Sequence, residues 1–184
     1  ESRNYIALKQ FDKAEKSLLK SIEIANNNQN SYAYISAGNE LRRATIALEK
    51  GNRQEAQKIA DQLLKSLSSL PRAQYLFALT QQFRAQLFFE KQDYDQAIEC
   101  LKSGLTTIDK INYNPLKSSI YEDLAKNYLV IKKNDDYEFY KNKYIESSKI
   151  LEENKKEARR ELIQLSTNLT QENNRLILIK KKTN

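Results

Sequence analysis

The sequence has no histidine, no methionine and no tryptophan, and it holds one cysteine, three glycines and two prolines in 184 residues. Without histidine, and with Cys100 alone, neither a Ser-His or Cys-His nucleophile pair nor a standard zinc site can be assembled, so hydrolase and zinc-enzyme readings fall. One cysteine closes no internal disulfide, which is compatible with a reducing compartment. The scarcity of glycine and proline argues against a sandwich or barrel of short strands, whose many turns need both, and favours long helices. Gly38, Gly51 and Gly104 are isolated from one another, so there is no glycine-rich phosphate loop. No apolar run approaches the roughly 20 residues that span a bilayer, and Glu1 does not open a signal peptide. No membrane association and a cytoplasmic location are therefore expected. The missing methionine predicts that the chain is part of something longer.

Charge is what the chain has in quantity. Charged residues make up 30% of it, with a formal net charge of +7. Lys alternates with Asp and Glu along most of its length, the pattern of solvated helix faces, and Glu122 and Asp123 near Lys126 read as one such face. The basic residues form no stripe interleaved with aromatics, and Lys180 to Lys182 make only a short charged end, so direct nucleic-acid binding is not expected. No carboxylates form a recognisable pair, and Cys100, three residues after Ala97, reads as a small packing residue. The expectation is a binding protein with no catalytic residue, no cofactor and no metal.

A repeat organises the chain. Ser2, Ala44, Ala85 and Ala125 each stand three places before Tyr5, Ala47, Phe88 and Tyr128, and successive copies are 42, 41 and 40 residues apart. Further columns follow in each copy: Phe11, Arg53, Tyr94 and Tyr137, then Ala14, Ala56, Ala97 and Tyr140, then Leu18, Ala60, Leu101 and Tyr144. In this alignment the fourth turn carries three extra residues. Each copy reads as a helix, a tight turn and a second helix. Leu41, Ala44, Ala47 and Leu48 keep helical spacing until Gly51 and Asn52 end the run. Asn52 with Glu55, and Asp93 with Gln96, have capping-box spacing at the start of the second helices. Pro71 and Pro115 fall between copies, where a helix can open on proline. Alanine-sized notches let bulky neighbours such as Phe88 and Leu101 bring paired helices close, and stacked pairs share one continuous core.

These columns resemble the tetratricopeptide-repeat (TPR) family. The closest stretches are "AQLFFEKQDYDQAIECLKSGL" from Ala85 and "YIALKQFDKAEKSLLKSI" from Tyr5, while the second and fourth copies are degenerate. The period exceeds the usual 34 residues, consistent with helices about a turn longer than standard. The resemblance implies an all-α superhelix of antiparallel helix pairs over residues 1–150, about four repeats with the first truncated and more expected upstream. It further implies a concave groove for a protein or peptide on the first helices of the pairs. Projected onto that geometry, the groove residues are Arg42, Thr45, Glu49, Gln82, Gln86, Glu90, Glu122 and Lys126, over an apolar floor such as Leu79 and Phe89. Leu79 and Phe83 stand where chaperone-type relatives need Lys and Arg, so capture of a C-terminal carboxylate is not expected.

Residues 151–184 depart from the repeat. Leu151, Ala158, Leu162, Leu165, Leu169, Leu176 and Ile179, with Lys155 and Glu172 between them, follow an alternating four-three spacing over four heptads, the seam of a coiled coil about 42 Å long. The stripe either pairs with a second copy, giving a homodimer, or folds back along the repeats. The stretch also resembles the helical connector of bacterial TPR transcriptional regulators with a LuxR-type helix-turn-helix, on Arg160, Glu161, Leu162, Leu165, Leu169, Gln171, Asn173, Leu176 and the Lys180 to Lys182 end. That resemblance implies the signal-receiving and dimerising part of a regulator, touching DNA only through a domain absent from this chain. The alternatives are the equivalent region of a sensor kinase and a stand-alone TPR scaffold.

Overall fold

Three turns of the same construction set the architecture. In the computed structural model, which describes residues 6, 8–27, 33–70, 72–111 and 113–183 and, of these, all side chains except 22, 25–27, 174 and 176–183, the chain reverses at Gly51, Gln92 and Lys132. Each of these residues takes a left-handed conformation, with φ of 82°, 62° and 58°. The hydrogen bonds repeat: Gly51 N to Leu48 O and Asn52 N to Ala47 O (both 2.8 Å), Gln92 N to Phe89 O and Asp93 N to Phe88 O (both 2.9 Å), and Lys132 N to Leu129 O and Lys133 N to Tyr128 O (3.1 and 3.0 Å). These are Schellman closures, which satisfy the last carbonyls of one helix while aiming the chain back along it. Gly51 adopts the turn freely, whereas Gln92 and Lys132 each carry a Cβ there at a cost of roughly 1–2 kcal/mol.

Seven helices result among the described residues, with no strand: α1 (Phe11–Asn27), α2 (Ala33–Glu49), α3 (Arg53–Ser68), α4 (Gln74–Glu90), α5 (Tyr94–Asp109), α6 (Asn114–Val130) and α7 (Asn134–Thr183). The chain is an all-α, TPR-like superhelix in which α2–α3, α4–α5 and α6–α7 form antiparallel pairs and α7 runs on as a long C-terminal helix. Pro71 lies outside the described residues, and Pro115 sits in the first turn of α6.

Two expectations need correction. The fourth turn carries no extra residues: its closure counts from Tyr128 as the third counts from Phe88, so Asn134, not Tyr137, matches Phe11, Arg53 and Tyr94. Tyr137 then occupies the alanine column, and Tyr140 instead stacks on Tyr128 with ring centroids 5.5 Å apart. Of the two capping boxes, Asp93 accepts from the backbone N–H of Gln96 (3.3 Å), while the Asn52 side chain makes no capping bond. The backbones at the two positions are nearly alike.

The notches are where the columns placed them. Ala14, Ala44, Ala56, Ala85 and Ala97 are buried, and Leu18, Leu87 and Leu101 fill the space they leave. At Gly104 α5 lies tight against α4: a Cβ there would stand 3.3 Å from the Ala78 carbonyl oxygen. The first half of α7 packs on α6 through Tyr137, Tyr140 and a Ser118–Ser148 hydroxyl pair at 3.0 Å. Beyond Leu151 every described side chain is exposed, including Leu162 at 66%, Leu165 at 58% and Leu169 at 66%. The apolar stripe therefore does not fold back on the repeats among the described residues. Of the seam, the Leu176 and Ile179 side chains lie outside them. No described helix is long and apolar enough to cross a membrane.

Candidate functional site

The first helices of the pairs, α2, α4 and α6, lie side by side. Between them is a cavity of about 370 Å³, at the small end of the range for ligand pockets. Its floor is Leu79, Phe83 and Phe89 from α4, with Leu41 from α2 and Leu101 from α5. Polar groups converge on it from all three helices: Thr45 on α2, Gln82 and Gln86 on α4, and Asp123, Lys126 and Asn127 on α6.

Of the eight residues projected onto the groove, Thr45, Gln82, Gln86 and Lys126 line this cavity, as do both floor residues named with them. Glu122 pairs with Lys126 at 2.8 Å. Glu90 accepts from Gln86 Nε2 (3.2 Å) and from Arg53 Nε (3.1 Å), one helical turn away from the lining. Glu49 is exposed and outside the lining. Arg42 faces a separate surface depression with Tyr34, Arg72 and Tyr75, and donates to Asn39 Oδ1 at 2.7 Å. The structure thus brings Thr45, Gln82, Gln86 and Lys126 together at one cavity and leaves Arg42 and Glu49 outside it.

Asp123 and Asn127 are the residues the sequence reading missed. Asp123, read above as part of a solvated face, is half-buried and turned inward, where its Oδ2 accepts from Gln82 Nε2 at 2.6 Å. The same Gln82 amide also donates to Ser119 Oγ at 2.6 Å, tying α4 to α6 across the cavity. Asn127 is 3% exposed. Its Nδ2 donates back to the Asp123 carbonyl (2.8 Å), and its Oδ1 accepts nothing from the described residues. A signal was available: with α4 and α6 aligned, Asp123 and Asn127 stand in the places of Phe83 and Leu87. Polar residues in core columns are costly unless partnered, and so point to a site.

Burial pushes the Asp123 carboxyl above its ordinary value of 3.8, opposed by the Gln82 hydrogen bond and the Lys126 charge. An acid with a raised folded-state pKa holds its proton more tightly folded than unfolded. Its contribution to stability is best below the unfolded value and declines as pH rises through the folded one. The wild-type chain should therefore lose stability relative to Asp123→Asn as pH rises from about 4, read as the difference between their urea midpoints across a pH series. A difference that stays flat or grows with pH would contradict the inward placement of this carboxyl.

The fold is a TPR-like superhelix with this groove on the first helices of its pairs. A tetratricopeptide-repeat family model matches residues 2–28. Among solved structures, the chain is similar to PlcR of Bacillus thuringiensis, determined in complex with the peptide PapR7 and DNA, at 18% identity and a TM-score of 0.71. The alignment covers 84% of this chain and 56% of PlcR, so the likeness is one of fold over a little more than half of that protein. No curated protein matches the chain.

Proposed function

We propose that this chain is the peptide-binding sensor and dimerisation region of a bacterial, cytoplasmic transcriptional regulator whose DNA contacts are made by a domain outside it. The observation that carries the reading is the Asn127 Oδ1, a buried acceptor without a donor among the described residues, set beside an apolar floor and the inward carboxylate of Asp123. That arrangement suits an extended peptide: backbone N–H groups meet Asn127 and Asp123 while an apolar side chain rests on Leu79 and Phe89. PlcR, whose fold this chain resembles, was solved with a peptide and DNA together, which supports the same pairing of roles. The helix that carries Asp123 and Asn127 also holds α7 through Tyr128 and Ser118. A peptide that pulls on one face of α6 thereby has a route to the long helix.

The test is selection of peptides from a random library on the full chain. Enriched sequences should share an apolar residue and, on titration, perturb the amide resonances of Gln82, Asn127 and Phe89. Absence of enrichment, or perturbations confined to the outer helices α3 and α5, overturns the proposal.

A further inference from the structure

The exposed stripe on α7 has a direction written into it. Its two polar members, Lys155 and Glu172, interrupt an otherwise apolar row, and among the described residues each pairs with a surface neighbour one turn away: Lys155 with Glu152 at 2.6 Å and Glu172 with Arg175 at 4.0 Å. In the heptad frame Lys155, Leu162 and Leu169 are a positions, while Leu151, Ala158, Leu165 and Glu172 are d positions. A parallel, in-register pair of helices would set Lys155 against Lys155 and Glu172 against Glu172, two buried like-charge contacts.

An antiparallel pair does the opposite. With the centre of the contact between Ile163 and Gln164, Leu162 meets the partner's Leu165, Ala158 meets the partner's Leu169, and Lys155 meets the partner's Glu172. Both charged interruptions are thereby matched at once. Sliding the partner by one heptad sets Glu172 against Leu162, and the reverse slide sets Lys155 against Leu165, so this register alone pairs both charges. The flanking positions put Glu161 beside the partner's Asn168 and Arg159 beside the partner's Ser166, and no like charges meet. The same centre bisects residues 152–175, the described stretch over which α7 has left the repeats and every described side chain is exposed.

We infer that α7 pairs antiparallel with a second copy of this chain, in the register fixed by Lys155 and the partner's Glu172. The inference rests on the homodimer reading proposed above and adds its direction and its specificity device. A pair of opposite charges at seam positions is the kind of feature that selects one register among several apolar alternatives. The paired segment, about 36 Å long over those 24 residues, then holds the two grooves at opposite ends.

The test uses the full chain and two readouts. In sedimentation equilibrium, Lys155→Glu alone and Glu172→Lys alone should each raise the dimer dissociation constant at least tenfold, and the double exchange Lys155→Glu with Glu172→Lys should restore it. A parallel dimer would be indifferent to all three, since like still faces like. In the second readout, copies carrying Lys155→Cys are mixed with copies carrying Glu172→Cys under mild oxidation. The two positions lie about 26 Å apart along one helix, and Cys100 is buried, so the antiparallel pair yields mixed disulfides and a parallel pair yields only like-with-like. Like-with-like products, or single exchanges without effect on a dimer, overturn the direction while leaving dimerisation intact. A strict monomer at high concentration overturns the dimer reading itself.

Discussion

Leu87→Ala is expected to lower the unfolding free energy by about 3–5 kcal/mol, the upper part of the range for a buried leucine. Leu87 is 0% exposed and lies in a cluster with Ala44, Ala56, Ile59, Ala60 and Phe83, where α2, α3 and α4 meet. Three of those neighbours are alanines, which have no rotamers with which to close a hole. The cost therefore includes most of the cavity as well as the lost transfer of the side chain. For a chain of this length each kcal/mol moves the melting temperature by roughly 2–4 °C, so a fall of about 6–20 °C should be seen by circular dichroism. Leu19→Ala, at a leucine 51% exposed on α1, should stay within about 0.5 kcal/mol. Equal losses at the two positions would mean that alanine notches do not organise the stacking.

The same notches explain why the fold was legible in the sequence. Ala44, Ala85, Ala56 and Ala97 recur because two helices can approach closely only over a small residue, and that demand does not depend on anything outside the pair. Turn geometry is less legible. A left-handed residue is announced by Gly51 but not by Gln92 or Lys132, which adopt the same conformation at a cost the sequence does not display. With that marker missing, the aromatic Tyr137 drew the alignment three places too far, although the hydrogen bonds around Lys132 match those around Gln92.

The groove was half legible for a related reason. Gln82, Gln86 and Lys126 fall on the inner face once helical spacing is projected onto the geometry that the resemblance implies. Asp123 and Asn127 stand on the face that is core in the preceding pair, and beside Glu122 and Lys126 the carboxylate reads as ordinary surface. The approach of α4, which brings the Gln82 amide to 2.6 Å, shows where it points. A site built by placing polar residues in core columns is concealed from any reading that assigns polar residues to solvent.

That concealment makes Asn127→Leu the most informative single change in the groove, because its two consequences have opposite signs. Leucine is what the preceding pair carries at this place, as Leu87. The substitution removes a desolvated acceptor that meets no donor among the described residues, a burden of roughly 1–3 kcal/mol, and gives up one amide bond to a helix carbonyl worth about 0.5–1.5 kcal/mol. The variant should be more stable than the wild type by about 1 kcal/mol, visible as a raised urea midpoint with unchanged slope. Peptides selected on the wild-type chain should bind it at least tenfold more weakly, about 1.4 kcal/mol, because a backbone N–H that met Asn127 Oδ1 would be buried without an acceptor. Gain in stability with loss of binding is the mark of a residue kept for function at the expense of the fold. If the variant binds those peptides as tightly as the wild type, Asn127 is no part of a peptide site, whatever its effect on stability.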